Sequence, residues 1–242
     1  MAYNLKKFEE GLEKLEISLS EVQMQQFLDY YELLVETNKV MNLTAITEFD
    51  EVIEKHFLDS LSICQVYDLK NVSGKEFHIL DMGTGAGFPG IPLKIVYPEI
   101  NVTLADSLNK RIHFLEEVIE KLNLKKVEAI HGRAEEMGKN KIYREQFDLC
   151  VSRAVANLSS LSEYCIPFVK EGGKFISYKA GEIEEEVSLA KKAISILGGK
   201  IENVYKFDLY DQKRSFVIIK KEKKTPKAYP RKAGTPTKTP LQ

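Results

Sequence analysis

The chain has 242 residues, of which 43% are hydrophobic and 29% are charged, and its formal net charge is −1. This apolar fraction excludes a disordered chain and allows a buried core that needs neither disulfides nor metals. No stretch approaches about 18 consecutive apolar residues, the length of a membrane-spanning helix, and the charged start of the chain lacks the apolar segment of a secretory signal. The three cysteines, Cys64, Cys150 and Cys165, form no CxxC pair. We therefore expect a cytoplasmic protein with reduced structural thiols and no membrane partner.

Residues 4–70 are predicted to be helical. Apolar side chains recur with the spacing of amphipathic helices in three stretches between Leu5 and Cys64. Ser20 is a suitable N-cap for the second of these helices. The segment NKVMNLTAIT, which separates the second helix from the third, is polar enough to be a loop. We expect residues 1–75 to form a helical cap on the rest of the protein.

From residue 77 onwards, short apolar runs alternate with helical stretches. This alternation, with strands that are apolar throughout, predicts an α/β fold whose parallel sheet is covered by helices on both faces. The predicted strands are 77–83, 101–107, 126–132, 147–155 and 173–180. The predicted helices between them are 88–97, 109–123, 157–169 and 182–197.

The last two β-like runs break the alternation. Residues 200–210 and 214–221 are joined by the polar segment Asp211–Lys213, which is too short to hold a helix. We therefore expect an antiparallel hairpin at the edge of the sheet. With the five preceding strands, this hairpin makes a seven-stranded mixed sheet, and we expect the domain that contains it to span residues 76–221.

The end of the chain is strongly basic. Residues 220–242 contain eight basic side chains and one acidic side chain, so this segment carries +7 and the rest of the chain −8. Four prolines and few large apolar side chains predict that the tail, residues 222–242, does not pack as a helix or a strand. Two interpretations remain open: a contact to phosphate backbones, or a solubilising, disordered terminus.

The segment ILDMGTGAGFPG places four glycines between the first strand and a helix. Such glycines allow a tight turn and let the backbone approach a bound phosphate or carboxylate. The GxGxxG pattern of dinucleotide-binding folds fits residues 85–90, and the (D/E)xGxGxG pattern of S-adenosylmethionine-dependent methyltransferases fits residues 81–87. Asp106, at the end of the second strand, stands where a ribose-binding carboxylate is expected. The candidate cofactor-binding residues are Asp81, Gly83, Gly85, Gly87 and Asp106.

Three features favour the methyltransferase pattern. An acid stands two residues before the first glycine, the loop follows a long helical block, and the sheet ends in an antiparallel hairpin. We therefore expect a class I S-adenosylmethionine-dependent methyltransferase with a Rossmann-like seven-stranded mixed sheet and an N-terminal helical extension. A nicotinamide-dependent oxidoreductase that uses the GxGxxG pattern remains the alternative. P-loop chemistry is excluded because the chain contains no GxxxxGK[ST].

No catalytic base, nucleophile or metal site stands out in the sequence. The fourth strand ends in VSRAVANL, without the (D/N)PP(Y/F) that marks amine-directed methyltransferases. Cys150 and Cys165 are predicted to be buried, and the four histidines have no metal-binding spacing. A guanine N7 carries a lone pair and no proton, so its methylation depends on alignment and needs no base.

Several segments spread over the chain carry a resemblance to a known family. They are NKVMNLTAI, HFLDSL, LDMGTGAGFPGIPLKIVYP, HGRAEEM, VSRAVANL and YPRKAGTPTKTPL. Together they are similar to the RsmG (GidB) family of bacterial 16S ribosomal RNA guanine-N7 methyltransferases, from about residue 20 to the end of the chain. The resemblance implies a monomeric, metal-free enzyme that uses S-adenosylmethionine to methylate a single guanine in the 530 loop of 16S ribosomal RNA.

The resemblance also implies which residues contact the cofactor. Asp106 would accept hydrogen bonds from ribose hydroxyls, and Glu135 would reach the adenine edge. Phe88 would pack on the apolar side of the cofactor. Arg153, at the carboxyl end of a parallel strand, would hold the carboxylate of the cofactor or a nucleotide phosphate. The implied cofactor contacts are Gly83, Phe88, Asp106, Ala134, Glu135 and Arg153.

The implied partner is 16S ribosomal RNA, in a 30S subunit or an assembly intermediate. Basic side chains attract phosphates, whereas a looped base must be splayed out and stacked to be read. Deletion of the tail is expected to weaken RNA binding and to leave cofactor affinity nearly unchanged. A non-catalytic, RNA-binding assembly factor is a further alternative. The expected RNA contacts are Lys39, Asn42, Lys179, Arg231 and Lys232.

Overall fold

The computed structural model describes residues 3–72, 76–153 and 155–241. Its strands are β1 His78–Met82, β2 Asn101–Asp106, β3 Val127–His131, β4 Phe147–Arg153, β5 Val169–Ala180, β6 Gly199–Leu209 and β7 Gln212–Lys221. They form one seven-stranded sheet in the order β3-β2-β1-β4-β5-β7-β6. Strands β1 to β5 are parallel, β7 is antiparallel to β5, and β6 is antiparallel to β7.

The predicted α/β class and the predicted edge hairpin are confirmed. The hairpin turns at Tyr210 and Asp211, and Leu209 pairs with Gln212. Its second strand, β7, joins the sheet, so that β6 becomes the outer edge. Residue 154, near the end of the predicted fourth strand, lies outside the described residues.

The N-terminal region is helical, as predicted. Its helices are α1 Lys6–Lys14, α2 Glu21–Met41, α3 Phe49–Val52 and α4 Asp59–Leu61; a π-helical turn, Ile53–Leu58, joins α3 to α4, and a 3-10 turn, Ser62–Gln65, follows. Ser20 is the N-cap of α2: its Oγ accepts from the backbone N–H of Gln23 at 3.3 Å, and Gln23 Oε1 accepts from the backbone N–H of Ser20 at 2.9 Å.

Helix α2 extends further than predicted. It ends at Met41, and Asn42 follows in the left-handed conformation with a φ of 50°. The prediction of a loop from Asn38 onwards is wrong because polar composition alone does not end a helix; a residue that leaves the helical backbone does. Lys39 consequently lies in the last turn of α2 and not in a loop.

Helices cover both faces of the sheet because its central strands are apolar on both sides. One hydrophobic cluster lies on the face that carries the N-terminal helices, and a second lies on the opposite face. The helices between strands are α5 Gly90–Val96, α6 Asn109–Lys121, α7 Ala134–Met137, α8 Leu158–Cys165 and α9 Glu184–Ile196. Helices α5 and α6 pack with the N-terminal helices, and α8 and α9 pack on the other side.

The boundary between α8 and β5 differs from its prediction. Helix α8 ends at Cys165, two residues before Pro167, which has no N–H to donate to a continued helix. A 3-10 turn, Ile166–Phe168, follows, and β5 starts at Val169, earlier than predicted.

The basic tail packs against α8, and the expectation that it forms no helix is wrong. Its last part includes the short helix α10, Thr235–Lys238. The buried carboxylate of Glu163 accepts from the backbone N–H of Arg231 at 2.6 Å and from Nη2 of the same residue at 2.7 Å. Ser160 Oγ donates to the carbonyl of Pro236 at 2.7 Å. Buried polar groups of α8 therefore order a segment that has few large apolar side chains of its own.

The predicted division into residues 1–75, 76–221 and 222–242 stays a prediction. Residues 73–75, at the first boundary, lie outside the described residues. Within the part of the chain that the structure describes, no helix combines the length and the hydropathy of a membrane span.

Candidate active site

The side chain of Asp81 fixes the glycine loop through hydrogen bonds. Its side chain is fully buried, and Oδ2 accepts hydrogen bonds from the backbone N–H of Gly90 at 2.8 Å and from Thr84 Oγ1 at 2.7 Å. Burial raises the pKa of Asp81 to about 6. Oδ1 is buried and has no hydrogen-bond partner among the described residues. Asp81 therefore positions the loop and does not line the cavity beside it. Its predicted contact with a cofactor stays a prediction.

Three glycines of the loop adopt left-handed backbone conformations. The φ angle is 71° at Gly83, 64° at Gly85 and 102° at Gly87, a region that other residues rarely adopt. A Cβ on Gly83 would lie 2.5 Å from Cγ2 of Val155, and a Cβ on Gly87 would lie 2.7 Å from the hydroxyl of Tyr30. The glycines therefore serve both the turn and the close approach of neighbouring groups.

A cavity of about 300 Å³ opens beside this loop, at the carboxyl ends of β1, β2 and β3. We name it the loop cavity. Four of the predicted cofactor residues border it: Gly83, Asp106, Ala134 and Glu135. Ligands of open α/β sheets bind at the carboxyl ends of strands. The structure thus brings these four residues together at the expected edge of the sheet.

Two buried carboxylates border the loop cavity. Asp106 Oδ2 accepts from the backbone N–H of Gly85 at 3.0 Å and from Arg111 Nη1 at 3.1 Å, and its Oδ1 accepts from one backbone N–H at 2.9 Å. Glu135 Oε1 accepts from the backbone N–H of Gly234 at 2.8 Å. Because a carboxylate has about four acceptor sites, both side chains keep capacity for the hydroxyl or amine donors of a ligand.

A second cavity, of about 550 Å³, lies between the N-terminal helices, the ends of β4 and β5, and the hairpin. We name it the cap cavity. In its wall, Asp59 Oδ2 accepts from Arg153 Nη1 at 2.7 Å, and Asp59 Oδ1 accepts from Arg214 Nε at 2.8 Å. Asp59 is only 4% exposed. One carboxylate from the N-terminal helices therefore joins two guanidinium groups from the sheet.

His56 borders the cap cavity as well. Its Nε2 lies 2.9 Å from Thr44 Oγ1, and its Nδ1 lies 3.3 Å from Arg153 Nη2. Burial, together with the positive charge of Arg153, lowers the pKa of His56 to about 4. The imidazole is therefore neutral around pH 7.

Arg153 and Phe88 do not line the loop cavity. The guanidinium carbon of Arg153 lies 5.1 Å from the ring centroid of Phe88, and the His56 ring stacks on the same ring at 4.6 Å. Phe88 turns towards the N-terminal helices, where its ring packs 5.3 Å from that of Tyr30. Arg153 is drawn to the cap cavity by Asp59. The predicted contacts of Arg153 and Phe88 with a cofactor stay predictions.

The five predicted RNA contacts fall into two groups. Internal ion pairs take up the charges of two: Lys179 Nζ contacts Glu186 Oε1 at 2.6 Å, and Arg231 forms its buried pair with Glu163. The other three, Lys39, Asn42 and Lys232, are exposed. All five RNA contacts stay predictions.

Sequence reasoning assigned no role to His56, Asp59 and Arg214. His56 and Asp59 are three residues apart in a helical segment, so they share one face of it, and both turn towards the sheet. Polar residues on the apolar face of an amphipathic helix are a signal that could have identified them. For Arg214, at the start of a strand, the sequence offers no such signal. Tail residues Gly234 and Thr237, which border the loop cavity, were also missed.

The topology, the glycine loop and the loop cavity define a class I S-adenosylmethionine-dependent methyltransferase. The fold is similar to that of M. jannaschii TYW2 in complex with AdoMet, with a TM-score of 0.51 and 16% identity over 63% of this chain and 73% of the other. It is also similar to the ribosomal protein L11 methylase of Lactobacillus delbrueckii subsp. bulgaricus, with a TM-score of 0.50 and 15% identity over 70% and 79% of the two chains.

Sequence comparison then defines the family. A family model described as rRNA small subunit methyltransferase G matches residues 23–217. A relative named Ribosomal RNA small subunit methyltransferase G, from Lachnoclostridium phytofermentans, is 55% identical over 97% of this chain and 96% of its own length. A relative of the same name from Bacillus licheniformis is 48% identical over 99% of both chains. The chain belongs to the rRNA small subunit methyltransferase G (GidB) family, which confirms the resemblance found in the sequence.

The residues of the loop cavity fit the cofactor of this class. S-adenosylmethionine carries ribose hydroxyls, an adenine amine and an ammonium group, all of which can donate hydrogen bonds to carboxylate acceptors. Asp106 and Glu135 supply such acceptors with unused lone pairs. Gly83 presents backbone without a side chain at the same cavity.

Proposed function

We propose that this protein transfers a methyl group from S-adenosylmethionine to N7 of a single guanine in the 530 loop of 16S ribosomal RNA. The observation that carries the proposal is the cap cavity, where no described side chain is set up to remove a proton. Its carboxylate, Asp59, is bound to two guanidinium groups, and the pKa of its imidazole, His56, is lowered to about 4. Membership in the rRNA small subunit methyltransferase G family supports ribosomal RNA as the substrate.

The chemistry of N7 suits such a cavity. N7 attacks through a lone pair in the plane of the base and has no proton to lose. When bound, S-adenosylmethionine supplies the methyl group as an electrophile. The residues of this chain then have to bind and orient the base and keep water out, and alignment supplies the catalysis.

The proposed cofactor contacts are those that border the loop cavity. Asp106 accepts from the ribose hydroxyls and Glu135 from the adenine amine, while the backbone of Gly83 and Ala134 closes around the cofactor. Gly85 and Gly87 shape the loop, and Asp81 holds it. The support for these roles is the position of the residues at the carboxyl ends of the parallel strands.

We further propose that the RNA is methylated within a 30S subunit or an assembly intermediate, by a monomer in the cytoplasm and without a metal. An acceptor atom without a proton needs no metal-bound base. Within the described part of the chain, no group of three or more His, Cys, Asp or Glu residues could hold a metal ion. The exposed residues Lys39, Asn42 and Lys232 are offered as contacts to the RNA.

Incubation of the protein with labelled S-adenosylmethionine and unmodified 16S RNA or small subunits tests this function. We expect label at one site in the 530 loop, at a guanine that chain cleavage specific for N7-methylguanine detects. No incorporation into RNA, assembly intermediates or subunits would contradict it. Tight binding of NAD, with none of S-adenosylhomocysteine, would favour the oxidoreductase. Cofactor binding without turnover on any of these substrates would favour the assembly factor.

A further inference from the structure

The guanidinium group of Arg214 is fixed at the wall of the cap cavity. Asp59 Oδ1 accepts from its Nε at 2.8 Å. Its Nη1 and Nη2 have no hydrogen-bond partner in the part of the chain that the structure describes. An arginine held through Nε presents its two Nη groups as a preorganised fork, and this geometry matches phosphate oxygens.

The charges around the cap cavity favour an anion. Arg153 and Arg214 share the single carboxylate of Asp59, which leaves one positive charge uncompensated. The other two cations of the wall, Lys55 and Lys179, pair with Glu51 and Glu186 outside it, and burial keeps His56 neutral. The two arginine side chains are only 15% and 19% exposed, so their excess charge is less screened than charge on an open surface.

Aromatic rings form another wall of the same cavity. The ring of Phe216 lies 5.1 Å from that of Phe207 and 4.8 Å from that of Tyr178. Phe216 and Tyr178 are 1% and 5% exposed, so the partly buried Phe207 is the ring that offers surface to the cavity. Aromatic faces of this kind stack on unpaired bases of single-stranded RNA. A fixed guanidinium group beside an aromatic wall therefore matches the phosphate and the base of a nucleotide.

From this geometry we infer that the cap cavity binds one nucleotide of the substrate RNA, with its phosphate on Arg214 and its base against the aromatic wall. The inference rests on the proposed function, because that function makes RNA the substrate. Asp59 is then a positioning residue, since it reaches the nucleotide only through the two arginines.

Saturation-transfer NMR with guanosine monophosphate and guanosine tests the phosphate site directly, on the full chain with S-adenosylhomocysteine bound. We expect a stronger saturation-transfer signal for the monophosphate than for guanosine. In the Arg214→Gln variant, the signal of the monophosphate should fall to that of guanosine. Lys213→Gln is the matched control, because Lys213 is the preceding residue and its side chain is 75% exposed. Equal signals for the two ligands, or an Arg214→Gln variant that behaves like Lys213→Gln, would overturn the inference.

Single-turnover methylation of unmodified small subunits extends the test to RNA. For Arg214→Gln, we expect the enzyme concentration at half-maximal rate to rise at least about tenfold, as for the loss of a charge-assisted hydrogen bond. The affinity for S-adenosylhomocysteine should not change. For Arg214→Lys, the enzyme concentration at half-maximal rate should lie between the values for the wild type and Arg214→Gln. A parallel fall in cofactor affinity would overturn the inference.

The two experiments also distinguish an incorrect phosphate site from an incorrect proposed function. A wild-type protein that methylates no ribosomal RNA but prefers the monophosphate would contradict the proposed function and support the phosphate site. A wild-type protein that methylates RNA, with an Arg214→Gln variant equal to the control, would contradict the site alone. Asp59→Asn should act in the same direction as Arg214→Gln, because it releases the fork that Asp59 fixes; an unchanged monophosphate signal would contradict its positioning role.

Discussion

The backbone N–H of Gly234, in the C-terminal tail, donates a hydrogen bond at 2.8 Å to Oε1 of Glu135 at the edge of the loop cavity. Gly234 and Thr237 border that cavity themselves, and the buried pair of Arg231 with Glu163 anchors the segment that carries them. The basic C-terminal tail thus forms part of the wall of the proposed cofactor site. Tail and cofactor binding are therefore physically coupled.

Deletion of residues 222–242 is expected to lower affinity for S-adenosylhomocysteine at least about tenfold, because it removes one wall of the loop cavity and leaves the buried carboxylate of Glu163 unpaired. This reverses the expectation from charge alone, which was that cofactor affinity stays nearly unchanged. Isothermal titration calorimetry measures the effect. Lys232→Gln removes one exposed charge of the tail and should keep full affinity. A truncated protein that binds as tightly as the full chain would show that the tail wall is dispensable.

Gly83→Ala and Gly172→Ala form a matched pair of substitutions. Both glycines have positive φ angles, 71° and 87°, so both variants should lose about 1–2 kcal/mol of stability from backbone strain. Only at Gly83 would the added Cβ meet a neighbour, Val155 at 2.5 Å; at Gly172 no described atom lies within 4 Å. We expect only Gly83→Ala to lose cofactor affinity as well. Urea unfolding and calorimetry separate the two effects, and equal cofactor affinity in the two variants would contradict the placement of the cofactor beside Gly83.

The stability of the protein is expected to fall between pH 6.5 and pH 4 through His56, whose pKa is lowered from 6.5 to about 4. In this window the unfolded chain binds the His56 proton more tightly than the folded chain does, so acidification favours unfolding. The shift corresponds to about 3 kcal/mol, and the contribution of His56 is fully present well above pH 6.5. Urea unfolding of His56→Gln should therefore show a flatter loss of stability on acidification.

His113→Gln is the control for this pH dependence, because His113 is an exposed residue of α6. Asp81 acts in the opposite direction, because its raised pKa of about 6 makes stability fall as the pH rises towards 6. Asp81 is present in the wild type and in both variants, so the difference between them isolates His56. Identical pH profiles for His56→Gln and the wild type would show that His56 is not held neutral by the fold.

The sheet and the loop cavity could be predicted because their signals are local. Apolar runs define the strands, and the carboxyl ends of adjacent parallel strands share one edge, so Gly83, Asp106 and Glu135 had to meet. The position of Arg153 depends on Asp59, which is far away in the sequence and has no pattern that pairs the two. The order of the tail likewise depends on the burial of Glu163, which only the packed structure shows.

The proposed reaction is methyl transfer to N7 of a guanine in RNA. It is tested most directly with reconstituted small subunits whose target guanine is replaced by 7-deazaguanine, in which a C–H group takes the place of N7 and the Watson–Crick edge is kept. We predict that unsubstituted subunits accept a methyl group at this position, and that substituted subunits bind the protein and accept none. Methyl transfer to the substituted nucleotide would contradict the claim.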